Sequence, residues 1–237
     1  EQVQEDCARA YAHLTSNPEN QVNVFTTDVY KSLFSLLESP VCNTARFSAM
    51  AVGNLALVVV NQVQMVRNNV LPPLIALLDS EFLDCQHYAA RALYRLAANQ
   101  GNQLTMVEVG ALPPLIRLLS SEYVPAQQCA TMTICNLATN YRNHKAIASD
   151  GAIPPLVTLL SSSEVVCARY ASMSLCNLAA DTDNQRLIVE HGALKPLMQL
   201  GYSTDLDCQR YAGMTLCNLS THQKNRLQMV QEGVLPS

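Results

Sequence analysis

The sequence predicts an all-α solenoid built from three-helix repeats with a 41-residue period. Three observations predict it. Similar segments recur at GALPPLIRLL (110–119), GAIPPLVTLL (151–160) and GALKPLMQLG (192–201), each 41 residues after the last. One column of that period reads Asn20, Asn61, Asn102, Asn143, Asn184, Asn225. Another reads Leu14, Leu55, Leu96, Leu137, Leu178, Leu219. Short helices cannot each bury an apolar face alone, but stacked copies bury theirs against neighbours in a continuous core.

The elements of one repeat follow from its columns. Asn is a strong N-cap, so the Asn column reads as the opening of a short first helix, as in Asn143-His-Lys-Ala-Ile-Ala. Asp28, Asn69, Gly110, Gly151, Gly192 and Gly233 share the next column. These residue types tolerate the left-handed backbone that one helix needs to stop before another begins. Pro72-Pro73, Pro113-Pro114 and Pro154-Pro155 follow, suited to a first helical turn. A second helix is therefore expected over about 112–119. Ser39, Ser80, Ser121, Ser162 and Ser203 mark the next break. A longer third helix is expected over about 125–139.

The third helix has two faces. Cys7, Ser48, Ala89, Ala130, Ala171 and Ala212 are small residues for close helix approach. They share a face with the Leu column and with Tyr11, Val52, Leu93, Ile134, Leu175 and Leu216. That face is the candidate core. The opposite face carries His13, Asn54, Arg95, Asn136, Asn177 and Asn218. Four positions earlier stand Arg9, Met50, Arg91, Met132, Met173 and Met214; eight earlier stand Glu5, Arg46, His87, Gln128, Arg169 and Arg210. A solvated face would also explain the arginines. It gives no reason to repeat Asn at one position or to expose Met at four of six.

Such a face has the chemistry to hold an extended segment. Stacked helices sit roughly 8–10 Å apart, and an extended chain rises about 3.3 Å per residue, so one rung meets about every third residue. An Asn amide both donates and accepts, and can pair with a peptide backbone without reading its side chains. Met adds adaptable apolar contact. Glu5 is the one acid found on this face in the sequence, so the face reads as basic, suited to an acid-containing segment.

Composition sets bounds. The chain is 49% hydrophobic but only 14% charged, with no Trp and a net charge of −4. The acidic balance argues against nucleic acid. The longest apolar run, residues 55–60, is far short of the roughly 20 residues needed to cross a bilayer. Nine cysteines form no CxxC pair. Cys135, Cys176 and Cys217 share one column, and Cys85, Cys167 and Cys208 another. Equivalent positions in adjacent repeats lie beyond the about 7 Å Cα separation of a disulfide, so these six read as packing residues of a reduced protein. Cys85 and His87 point in nearly opposite directions on a helix, poor geometry for one metal. Asp79, Glu122 and Glu164 fall near third-helix starts, where carboxylates favour the helix dipole. No cofactor, metal or catalytic residue is expected.

These columns resemble the armadillo-repeat family over essentially the whole chain. The motifs are the GALPPLIRLL-type second helix and the endings Cys135-Asn-Leu-Ala, Cys176-Asn-Leu-Ala and Cys217-Asn-Leu-Ser. The resemblance implies a right-handed solenoid whose third helices line a concave groove. It also assigns backbone gripping to Asn54, Asn136, Asn177 and Asn218. The groove Trp of importin-α members is replaced here by Met50, Met132, Met173 and Met214, which argues against nuclear-import cargo. The interspersed arginines look more like β-catenin-like members, and the compact repeats like vacuolar-adaptor-type armadillo proteins.

The expected organisation is one armadillo domain over 1–237, cut at both ends. It has partial repeats 1–16 and 222–237, and repeats at about 17–57, 58–98, 99–139, 140–180 and 181–221. The expected function is a cytoplasmic, non-enzymatic scaffold that holds an extended protein segment in the third-helix groove. The expected binding residues are Arg46, Met50, Asn54, His87, Arg91, Arg95, Met132, Asn136, Arg169, Met173, Asn177, Arg210, Met214 and Asn218. Three alternatives stay open: substrate recognition for a larger enzyme such as an E3 ubiquitin ligase, self-association by end stacking, and peripheral membrane attachment through a terminus outside the chain.

Overall fold

The structure is a computed structural model and describes residues 1–22 and 29–234. Its described residues form seventeen α-helices and no strand. They fall into two units, Glu1–Thr133 and Ile134–Ser237. In the first unit the helices are α1 (Gln2–Ser16), α2 (Pro18–Gln21), α3 (Val29–Leu37), α4 (Cys42–Leu55), α5 (Val59–Arg67), α6 (Leu71–Leu77), α7 (Leu83–Ala97), α8 (Gln100–Glu108) and α9 (Leu112–Leu118). The helix α10 (Val124–Ala138) contains the division between units. The second unit continues with a 3-10 turn at Tyr141–Asn143, then α11 (His144–Ser149), α12 (Ile153–Leu159), α13 (Val165–Leu178), α14 (Thr182–Glu190), α15 (Leu194–Leu200), α16 (Leu206–Ser220) and α17 (Gln223–Gln231).

The two-faced third helix packs as its sequence predicts. In the first unit α1, α4 and α7 lie side by side, and in the second α13 packs against α16. The small column makes this approach close: Ser48, Ala89, Ala171 and Ala212 are fully buried. Second helices cover the same cores, α3 on α4, α6 on α7, α12 on α13 and α15 on α16. Leu55, Leu96, Leu137, Leu178 and Leu219 are wholly enclosed. Truncating any one to Ala removes about 2–5 kcal/mol. Leu14, at the same position in α1, is 56% exposed.

The left-handed column is present wherever it is described. Asn69 has φ 64°, and Gly110, Gly151, Gly192 and Gly233 have φ between 75° and 90°. Asp28 lies outside the described residues. At Gly151 the turn lets Ala152 N–H donate to the Ile147 carbonyl at 3.2 Å, the six-to-one bond that closes a helix on a left-handed residue. Prolines occupy the first turns of α6, α9 and α12. Each Ser of the break column accepts a hydrogen bond from the backbone N–H two residues on, at 3.1–3.2 Å, setting the turn into the third helix.

The Asn column corrects the N-cap expectation. The capping side chains stand three residues earlier: Asn17, Asn99, Asn140 and Asp181 each accept from a first-turn N–H. The column residues themselves are clamps, buried from Asn61 onward and exposed at Asn20. Asn61 Nδ2 reaches the Leu55 carbonyl (3.0 Å) and the Gln21 carbonyl (2.7 Å). Asn102 repeats this on Leu96 and Gln62, and Asn225 on Leu219 and Gln185. The next residue clamps too: Gln62 to Ala56, Gln103 to Ala97, Gln185 to Ala179, and His144 Nε2 to Ala138. A helix ends with four carbonyls that its own ladder cannot satisfy. Side chains six residues on satisfy two of them at each third-helix end. The His144 bond requires its proton on Nε2.

Two further expectations change. Asp79 does not serve a helix start; both its oxygens accept from Arg117 Nη2 of α9 at 2.6 and 2.7 Å. The column argument against sulfur contact holds only within a column. Cys42 and Cys85, 43 residues apart, have sulfurs 3.7 Å apart because they sit two positions off register.

Candidate peptide-binding face

In the first unit Arg46, Met50 and Asn54 project from one side of α4, and His87, Arg91 and Arg95 from one side of α7, with Met132 on α10. All seven are half-buried. In the second unit Asn136 lies on the last turns of α10. Arg169, Met173 and Asn177 stand on α13, and Arg210, Met214 and Asn218 on α16. Arg210 and Met214 are exposed, Met214 by 48%, and the others are half-buried. None of the fourteen is walled into the core.

The rung at the Asn position is partly engaged by its neighbour. Arg95 Nη1 donates to the Gly53 carbonyl at 2.6 Å, and Asn218 Nδ2 to the Cys176 carbonyl at 3.3 Å. Asn54 reaches the Ala12 carbonyl and Thr15 Oγ1, both at 3.4 Å. Each bond to a carbonyl spans 42 residues, from one third helix to the one before. One amide hydrogen is thus spent on stacking. At Asn218 the second hydrogen and Oδ1 remain for a ligand. The Asn177 amide makes no such bond among the described residues.

The basic character of the face needs correction. Carboxylates sit beside most of its arginines, and of these only Glu5 was found in the sequence. Arg9 pairs with Glu5 at 2.8 Å, Arg46 with Asp84 at 3.5 Å and Arg210 with Asp207 at 2.9 Å. Arg169 grips Asp205 with two nitrogens, its Nε 3.2 Å from Oδ1. That guanidinium and the Cys208 N–H hold the Asp205 carboxyl down at about 2. Glu5 and Asp207 come from the arginine's own helix, four and three residues earlier, whereas Asp84 and Asp205 come from the first turn and N-cap of the next third helix. Aromatic rings flank the guanidinia: Arg46 lies over Phe47 at 4.5 Å, Arg91 over Tyr88 at 4.8 Å and Arg210 over Tyr211 at 4.6 Å.

Arg91 and Arg95 differ. Neither has a carboxylate within ion-pair distance among the described residues. Burial, then the charge of Arg91, lowers the pKa of Arg95 below the usual guanidinium value. Burial likewise lowers the His87 imidazole pKa from its ordinary value, with the charge of Arg91 reinforcing it.

No group of three or more His, Cys, Asp or Glu suited to a metal occurs among the described residues. A cavity of about 620 Å³ between α16 and α17 is lined mostly by apolar residues, with Ser220 and Arg226 as its polar groups. Among the described residues no helix is long and apolar enough to cross a membrane.

The family model for kinesin-associated protein (KAP) matches residues 36–234. The chain belongs to the KAP family. Its fold is an all-α armadillo solenoid. A designed armadillo repeat protein superimposes with a TM-score of 0.84 at 25% identity, over 91% of this chain and 92% of that one. An engineered protein superimposes with a TM-score of 0.86 at 28% identity, over 93% and 91%. A second designed armadillo protein, solved with the peptide (KR)4, superimposes at 0.82 with 24% identity, over 90% and 91%. No curated protein matches the chain. Within the KAP family this chain has the general character of an armadillo protein-binding scaffold, and its likeness to armadillo proteins is carried by the whole repeat pattern.

Proposed function

We propose that this KAP-family chain is a non-catalytic adaptor, working in the cytoplasm, that holds an extended partner segment on the third-helix faces of its units. The family's name makes a kinesin polypeptide the first partner to test. One observation carries the reading: at a 41-residue spacing the third helices present amides on a face that is not walled into the core, beside methionines. Asn54 serves the first unit, and Asn136, Asn177 and Asn218 the second. The β-catenin-like preference for acidic segments is kept only around Arg91 and Arg95, because the other arginines of the face already hold carboxylates.

The test is calorimetry of kinesin polypeptides against the wild-type chain and Asn177→Ala/Asn218→Ala. Each lost backbone pair is worth about 1 kcal/mol, so the double variant should bind roughly tenfold or more weakly. Unchanged affinity with an unchanged helical spectrum ends the groove reading. A second reading, self-association, is favoured by exposed Leu14 and Val3 on α1. Light scattering across concentration decides it: a mass that stays monomeric removes it.

A further inference from the structure

We propose that Arg91 and Arg95 form an anion subsite that takes one phosphorylated serine or threonine side chain of the bound segment. The proposal rests on the extended-segment reading above and names what one rung selects.

The pair interrupts the column. Where α4 carries Met50 and Asn54, and α13 carries Met173 and Asn177, α7 carries two cations four residues apart. Like charges at that spacing destabilise a helix. Half-buried charge without a counter-ion adds to that cost. Four other arginines of this face each meet a carboxylate. The nearest acid on α7, Asp84, is already shared by Arg46 and the Tyr123 hydroxyl, the latter at 3.1 Å. The fold therefore supplies no counter-charge for the two guanidinia.

Their orientation is preset. Arg95 is fastened by one N–H to the Gly53 carbonyl, and Gly53 has no side chain to obstruct the approach. Arg91 lies over the Tyr88 ring, and its buried Nε has no hydrogen-bond partner. Each guanidinium has five N–H groups in a rigid fork, so most donors remain open. A phosphate monoester, with about −1.5 to −2 charges and three acceptor oxygens, matches two forks; a carboxylate matches one.

The test uses nine-residue Gly-Ser peptides with phosphoserine, Asp or Ser at the centre, followed by fluorescence anisotropy. The wild-type chain should bind the phosphopeptide at least tenfold more tightly than the Ser peptide, with the Asp peptide between. Arg91→Met/Arg95→Asn, which restores the residues of the column, should bring the phosphopeptide and Ser-peptide affinities to within twofold of each other. If the double variant misfolds, Arg91→Met alone serves, since Arg91 makes no hydrogen bond to lose. Equal binding of phosphopeptide and Ser peptide by the wild-type chain overturns the subsite. If no peptide binds, the extended-segment reading fails by itself, and inorganic phosphate becomes the probe. Shifts of the Arg91 and Arg95 Nε–H NMR signals on adding phosphate would then uphold the anion subsite, and their absence would overturn it.

Discussion

Asn102 Nδ2 donates to the Gln62 carbonyl 40 residues away at 3.1 Å and to the Leu96 carbonyl at 3.0 Å. One amide thus joins a first helix to the previous first helix and to the end of the previous third helix. The stack is held in register by polar bonds inside it as well as by leucines.

Asn102→Ala should therefore destabilise the fold by about 2–3 kcal/mol, from two lost bonds and carbonyls left without a donor. Asn102→Asp should cost more, because it aims an acceptor at two acceptors. Urea unfolding measures both. A loss below about 0.5 kcal/mol for the alanine variant would show that the clamp is incidental.

Gly151 has φ 86°, and an added Cβ there would meet nothing within 4 Å. Any cost of a side chain is thus a cost of backbone conformation. Gly151→Ala should lose about 1–2 kcal/mol and Gly151→Asn much less, since Asn tolerates this region. Equal losses for the two in chemical denaturation would contradict the backbone account.

Asp205 titrates in the folded chain at about 2 instead of 3.8, chiefly through Arg169. A depressed carboxyl stabilises the fold above its unfolded value, and that contribution disappears as pH falls through the folded value. Asp205→Asn keeps the N-cap oxygen but removes the charge. The variant should be less stable than wild type at pH 7, with the gap closing between about pH 4 and pH 2. A gap independent of pH would show that the ion pair contributes nothing through titration.

Cys42 and Cys85 are the cysteine pair placed to crosslink. Burial pushes the Cys85 thiol up to about 12, so half-exposed Cys42 must react first. With diamide, the Cys42 thiolate adds across the N=N bond. Cys85 sulfur then displaces the hydrazine, forming the disulfide and losing its proton. Peptide mapping should find a 42–85 crosslink that is absent in Cys85→Ser. Intramolecular loss of two hydrogens in Cys85→Ser to the same extent would point to another pair.

The sequence alone determined the period, the helix count per repeat, the left-handed turns at Asn69 and Gly151, and which face of each third helix is core. Those properties depend on local conformation and on spacing along one helix, which residue type and periodicity report directly. Tertiary structure decided what each polar column does. Asn102 reads equally well as a cap or a clamp until the carbonyls of Leu96 and Gln62 are placed beside it. Asp84 and Asp205 lie off the columns of the basic face, so their pairing with Arg46 and Arg169 follows from the offset between neighbouring helices. The same offset brings Cys42 to Cys85 and leaves Arg91 and Arg95 without an acid. A hydrogen bond or ion pair between repeats depends on a few ångströms of translation between helices, and a linear pattern carries no measure of that distance.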